Sequence, residues 1–164
     1  VNFEEYVSSR GPALVRLARL LTGDEHRAED LTQDVLARAY VHWRRIARAD
    51  HPDVYVRRML VNANTSWWRR RSSRELATSE FAERAHRGDL GGEAAERDEL
   101  WRLILALPDR QRAVLVLRYY EDLDYATIGQ ILDCSPVTVR THAMRALTQL
   151  RERYGVPTTN GSRP

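Results

Sequence analysis

Apolar residues recur along the chain at helical spacing, in blocks separated by short breaks. Phe3, Tyr6, Val7, Leu14, Leu17, Ala18 and Leu21 form one stripe, with an interruption expected at Gly11-Pro12. Thr22-Gly23-Asp24 reads as a stop and restart. The next helix is predicted from about Glu25 to Arg45, with Ala28, Leu31, Val35, Ala39 and Trp43 inward. Glu29, Asp30, Gln33 and Asp34 then share a contiguous outer face. After the break at Ala49–Pro52, a third helix from about Pro52 to Arg71 has Asp50 or His51 near its cap. It buries Val56, Met59, Leu60 and Ala63 and ends in Trp67-Trp68-Arg69-Arg70-Arg71.

From about Ser72 to Glu93 the periodicity fades and Gly88, Gly91 and Gly92 appear, the signature of an acidic linker with one helical stretch near Leu76–Arg87. A second block starts near Ala94: Leu100, Leu103, Ile104 and Leu107 mark one helix, and Pro108-Asp109 starts another through Val114, Leu115, Leu117 and Tyr119. Gly155, Pro157 and the polar residues to Pro164 end the fold.

Residues 123–150 read as two helices joined by the turn Asp133-Cys134-Ser135, which lacks the glycine often found there. Ser135 is a suitable N-cap and Pro136 a suitable first helical residue. On the second helix Val139, Ala143, Ala146, Leu147, Leu150 and Tyr154 gather on one side. Thr141, Met144, Arg145 and Thr148 gather on the other, flanked by Thr138 and Arg140. One packing stripe opposite an Arg/Thr stripe free of carboxylates suits a helix laid in a DNA major groove. Helix pairs without any DNA role are common in all-α proteins, so the pattern needs a second element.

Charge supplies that element. All 26 basic residues among the 164 are arginine, which a GC-rich coding sequence explains, yet guanidinium groups still bind phosphate bidentately and stack on bases. Val54–Arg74 holds Arg57, Arg58, Arg69, Arg70, Arg71 and Arg74 and no acid, whereas Glu75–Glu99 is rich in acids. Arginines attract phosphate without regard to sequence; Asn62, Asn64, Trp67 and Trp68 can hydrogen-bond to and stack on unpaired bases. At least one of the two tryptophans is expected in the core.

Other classes find little support. No apolar run is long enough to span a bilayer, no secretory leader is apparent, and the lone Cys134 fits a reducing cytoplasm. His26, His42, His51, His86 and His142 are not spaced as metal ligands, and there is no glycine-rich phosphate loop or nucleophile elbow. No cofactor and no enzymatic activity are expected.

Ala28–Tyr40 (AEDLTQDVLARAY), Val56–Arg71 (VRRMLVNANTSWWRRR) and Leu107–Leu132, followed by SPVTVRTHAMRAL, resemble the extracytoplasmic-function, or group IV, sigma factors of bacterial RNA polymerase. The resemblance covers nearly the whole chain, in order. The absence of lysine and the Trp-Trp-Arg-Arg-Arg run resemble actinobacterial, SigE-like members.

The resemblance implies an all-α protein of two small helical domains joined by a flexible linker: region 2 over 1–73, the linker over 74–95, region 4 with its helix–turn–helix over 96–155, and a disordered tail over 156–164. It implies binding to core polymerase, its β′ and β subunits, with Asp30, Gln33 and Asp34 docking on the β′ subunit. It implies melting and capture of the −10 element by Arg58, Asn62, Trp67, Arg69 and Arg70, with the loop Arg48–Asp53 shaping the pocket. Thr138, Arg140, Thr141, Met144 and Arg145 would read the −35 element, the two promoter contacts standing about as far apart as the linker allows. His142 stands where the family often has arginine. The linker would thread the polymerase channels, its acids partly mimicking RNA. Implied partners are core polymerase, promoter DNA and an anti-sigma factor, in the cytoplasm and without membrane insertion. A stand-alone DNA-binding regulator would leave the Asp30–Asp34 face unexplained.

Overall fold

The structure is a computed structural model that describes residues 1–73 and 93–154; the predicted helical stretch at Leu76–Arg87 and the C-terminal tail lie outside the described residues. Those described are helical throughout, in the order α1 (Phe3–Thr22), α2 (Glu25–Val41), α3 (Trp43–Ala47), α4 (Pro52–Ser72), α5 (Glu93–Leu105), α6 (Asp109–Leu115), α7 (Tyr125–Leu132) and α8 (Pro136–Tyr154). Helix α5 begins at Glu93, inside the predicted linker.

The caps explain most boundaries. Asn2 and Glu5 form a reciprocal capping box at the start of α1. Gly23, at φ 71°, closes α1 in the left-handed conformation, and the Asp24 carboxylate accepts from His26 and Arg27 to open α2. The expected interruption at Pro12 does not occur: α1 is continuous. Proline inside a helix costs about 3 kcal/mol, but Gly11 has no side chain to meet the ring, and buried Tyr6, Leu14 and Leu17 hold the helix on both sides. The predicted helix to Arg45 instead splits at His42, whose backbone leaves helical geometry. That kink turns α3 so that Ile46 is buried and the Trp43 indole donates to the Val1 carbonyl.

Helices α1, α2 and α4 pack around Leu14, Leu17, Leu21, Val35, Val56 and Leu60. Complete burial of such a side chain stabilises by roughly 1.5–3 kcal/mol. Helices α5 to α8 form the second unit. Its core joins the first: Val114, Leu117, Ile128 and Ile131 belong to the same buried cluster as Leu60 and Val61. The two units therefore pack directly on each other through α4 and α7, and through α1 and the turn after α6. This corrects the expectation of widely separated contacts. The burial of Val61, Ile128 and Ile131 outweighs the freedom a tether would give.

Candidate nucleic-acid interface

Local chemistry positions the helix–turn–helix. The Asp124 carboxylate accepts from the Thr127 amide at 2.7 Å and caps α7; this bond holds its carboxyl below the usual range. Asp133 ends α7 at φ 55°, ψ 51°, a left-handed conformation that aspartate tolerates better than most residues, so the turn does without glycine. The glycine this motif needs is Gly129, one turn earlier, where a Cβ would stand 2.6 Å from the Cys134 carbonyl oxygen. The Ser135 hydroxyl accepts from the Thr138 amide at 3.2 Å and starts α8.

Helix α8 divides as its sequence pattern predicts. Val139, Ala143 and Ala146 are buried, while Thr138, Arg140, Thr141, Met144 and Arg145 are all exposed. Met144 is 59% exposed. Tyr154, placed on the packing side by the periodicity, is exposed because the helix end runs past its support. The Thr141 hydroxyl donates to the Val137 carbonyl and is thereby fixed against the helix. His142 is half-buried; burial, and then the charges of Arg110 and Arg145, lower its pKa. The positive charge of this helix face is carried by Arg140 and Arg145.

Helix α4 carries the second group. Asn62, Arg69 and Arg70 are exposed; Arg58 and Trp67 are partly covered. Asn62, Trp67 and Arg70 line one groove of about 560 Å³ together with Asp30, Asp34 and Arg27 of α2. Two of the predicted docking residues, Asp30 and Asp34, thus share one groove with three of the predicted strand-binding residues, Asn62, Trp67 and Arg70, while Gln33, Arg58 and Arg69 do not line it. Gln33 lies with Asp30 and Asp34 on the exposed face of α2. Arg27 lies over the Trp67 ring, and burial, followed by the nearby Arg71 charge, lowers its pKa to about 9. Trp67 meets Trp68 in a T-shaped contact, and the Arg27 guanidinium covers a face of its ring. Arg58 donates to the Gln130 carbonyl of α7, from Nε at 3.0 Å and from a terminal nitrogen.

Two buried arginines escaped sequence reasoning. Arg57 pairs with Asp53 at 3.0 Å in its own unit and with Glu121 at 3.1 Å in the other. Asp53 also accepts from the Tyr6 hydroxyl at 3.0 Å; burial and this carboxylate push the Tyr6 pKa up. Arg112 donates to the carbonyls of Leu21, Leu105 and Leu107. No spacing rule marks a buried arginine whose partners lie far along the chain. Among the described residues, no group of His, Cys, Asp and Glu is placed to hold a metal, and no helix is long and apolar enough to cross a membrane.

Residues 6–74 match sigma-70 region 2, and residues 97–150 match sigma-70 region 4. The chain is 38% identical over 152 residues to the RNA polymerase sigma-E factor of Streptomyces coelicolor, covering 93% of this chain and 85% of that protein. The chain belongs to the sigma-70 family. It is an extracytoplasmic-function RNA polymerase sigma factor of the actinobacterial type, and such factors direct promoter-specific transcription initiation. The sigma-E factor of Streptomyces antibioticus is 37% identical, over 93% of this chain and 84% of that protein. The SigE sigma factor of Mycolicibacterium smegmatis is 31% identical, over 92% of this chain and 61% of that protein. In fold, this sigma factor is similar to RpoE of Bartonella quintana, solved in complex with the anti-sigma factor NepR. That match has TM-score 0.73 at 20% identity, over 94% of this chain and 97% of that one. It is also similar to CnrH in complex with the cytosolic domain of CnrY, with TM-score 0.65 at 20% identity, over 93% and 87% of the two chains. In this sigma factor α1 to α4 fall within the region 2 match apart from the first residues of α1, and α6 to α8 within the region 4 match apart from the end of α8.

Proposed function

We propose that this sigma factor divides promoter recognition between its two units, region 2 over 1–73 and region 4 over 96–155, with residues 74–95 between them. Thr138, Arg140, Thr141, Met144 and Arg145 read the −35 element in the major groove. Arg58, Asn62, Trp67, Arg69 and Arg70 hold the opened −10 strand, and Asp30, Gln33 and Asp34 dock on core polymerase. The reading is supported above all by α8, where every one of the five proposed base-reading residues is exposed opposite a buried packing stripe. An arginine–base pair is worth about 1–3 kcal/mol of discrimination.

The sigma factor performs no reaction of its own; bond formation belongs to the polymerase it recruits, in the cytoplasm. RpoE and CnrH, which share its fold, were each solved with a protein partner, NepR or CnrY. An anti-sigma protein is accordingly a proposed partner of this chain as well.

The test separates the surfaces. Asp34→Arg abolishes co-elution with core polymerase, while Arg145→Ala keeps co-elution and loses run-off transcription from −35-dependent promoters. Loss of core binding in Arg145→Ala, or retention of it in Asp34→Arg, contradicts the division.

A further inference from the structure

The exposed side of α8 has an apolar centre. Val137 is 74% exposed, and like Met144 it is a large apolar side chain left in solvent. Val137, Thr141, Met144 and Thr148 follow one another at three- and four-residue spacing, all exposed, and form a single stripe along the helix. The threonines bring no free donor to it. The Thr141 hydroxyl donates to the Val137 carbonyl at 3.1 Å and the Thr148 hydroxyl to the Met144 carbonyl at 2.9 Å, so both protons are spent inside the helix. With its oxygen turned back one turn, each threonine offers the stripe its methyl group. Arg140 and Arg145, both exposed, border the stripe on its two sides, and no carboxylate occurs between Pro136 and Leu150.

We propose that this stripe reads thymine: Val137, a residue outside the five named above, and Met144 pack against the 5-methyl groups of thymines in the −35 element. The inference rests on the −35 reading of α8 given above. In the major groove the thymine edge carries a methyl group, and apolar side chains recognise it by contact. A stripe without free donors cannot pair with the purine acceptors that the bordering arginines reach. The two kinds of residue therefore divide the bases, Arg140 and Arg145 suiting guanine and the stripe suiting thymine. Val137 and Met144 stand two helical turns apart, about 10 Å or about three base-pair steps, so each meets its own base pair. The arginine borders decide the occupant. A duplex presents methyl groups on the groove floor and phosphates along the rims, whereas an apolar protein helix offers those arginines no partner. Covering Val137 and Met144 also takes from water apolar surface that the free chain leaves exposed.

The experiment uses the holoenzyme formed by this chain and core polymerase. Transcription from templates randomised upstream of the start site first yields the selected −35 element. Each thymine of that element is then replaced in turn by deoxyuridine, which removes the methyl group and keeps the hydrogen-bonding edge. Holoenzyme binding is measured for the parent chain, Val137→Ala and Met144→Ala. Uncovering one methyl group corresponds to about a fourfold change in affinity. The parent chain is expected to lose about that factor at each contacted thymine. Val137→Ala loses it on the thymine template and is indifferent to deoxyuridine at one position, and Met144→Ala behaves likewise at another, about three base pairs away. Such non-additivity marks direct contact, which a general loss of stability does not produce. An element without thymine at these places, or equal deoxyuridine sensitivity in all three chains, overturns the proposal. If Arg145→Ala still relaxes the −35 preference beside that result, α8 stays in the major groove and only the methyl contact falls. If Val137→Ala and Arg145→Ala instead keep the −35 preference and lose co-elution with core polymerase, the stripe is a protein-docking face and the −35 reading itself falls.

Discussion

The guanidinium of Arg112 donates to the Leu21 carbonyl at 3.3 Å, joining region 4 to the last turn of α1. The same group donates to the Leu105 and Leu107 carbonyls at 3.0 Å each and approaches Asp109 at 3.5 Å. Burial lowers its pKa, opposed by Asp109, and three carbonyl hydrogen bonds together with the Asp109 contact offset the cost of burying the charge. Arg112→Met removes a donor from three carbonyl oxygens, each loss costing about 1–3 kcal/mol before relaxation. We expect a net loss of roughly 2–4 kcal/mol in urea unfolding, with Arg112→Lys falling between. A methionine variant as stable as the parent chain would show that the carbonyls find other donors.

Asp34 is exposed on α2 and belongs to the groove shared with α4. Surface substitutions away from caps and cores change stability by about ±0.5 kcal/mol. Asp34→Arg is therefore expected to leave the melting temperature nearly unchanged while core polymerase no longer co-elutes. A marked fall in thermal stability would mean that the side chain supports the fold.

Arg145 is exposed on the same side of α8 as Met144 and Thr141. Its truncation to alanine should weaken the −35 contact by about 1–3 kcal/mol and relax preference at one base position. Equal loss on every −35 variant would reassign Arg145 to phosphate contact.

The Asp124 cap predicts a pH dependence. Its folded pKa lies below the unfolded value, chiefly through the Thr127 amide, so its contribution is complete above the unfolded pKa. It is lost as pH falls through the folded value. Asp124→Asn keeps an acceptor for the amide but cannot titrate, and the acid slope of stability should shrink. An unaltered slope in equilibrium unfolding between neutral and acid pH would place that slope elsewhere.

Caps and stripes made most of the fold legible: Asp24 and Ser135 mark helix starts, and Val139, Ala143 and Ala146 mark the packed side of α8. The second buried face of α4 was not legible, because Arg57 and Asn64 read as surface residues until their partners are known. A hydrophobic stripe reports burial against apolar neighbours only. Gly129 was passed over for a similar reason: its role depends on the Cys134 carbonyl, beyond the end of its own helix. The widened turn at Val116–Tyr120, which buries Val116 and Leu117 and is followed by Asp122 at φ 55°, had no signal in the local sequence either. The base-reading side of α8 was legible because exposure and packing alternate within one short helix.

The most direct measurement is in vitro transcription with core polymerase and this chain on a library of promoter sequences, with start sites read by sequencing. The account predicts initiation only when both are present, at templates sharing one −35 and one −10 element, with Arg145→Ala loosening the first element alone. Tight promoter binding by the free chain, with no start site dependent on it when core polymerase is added, would contradict the account.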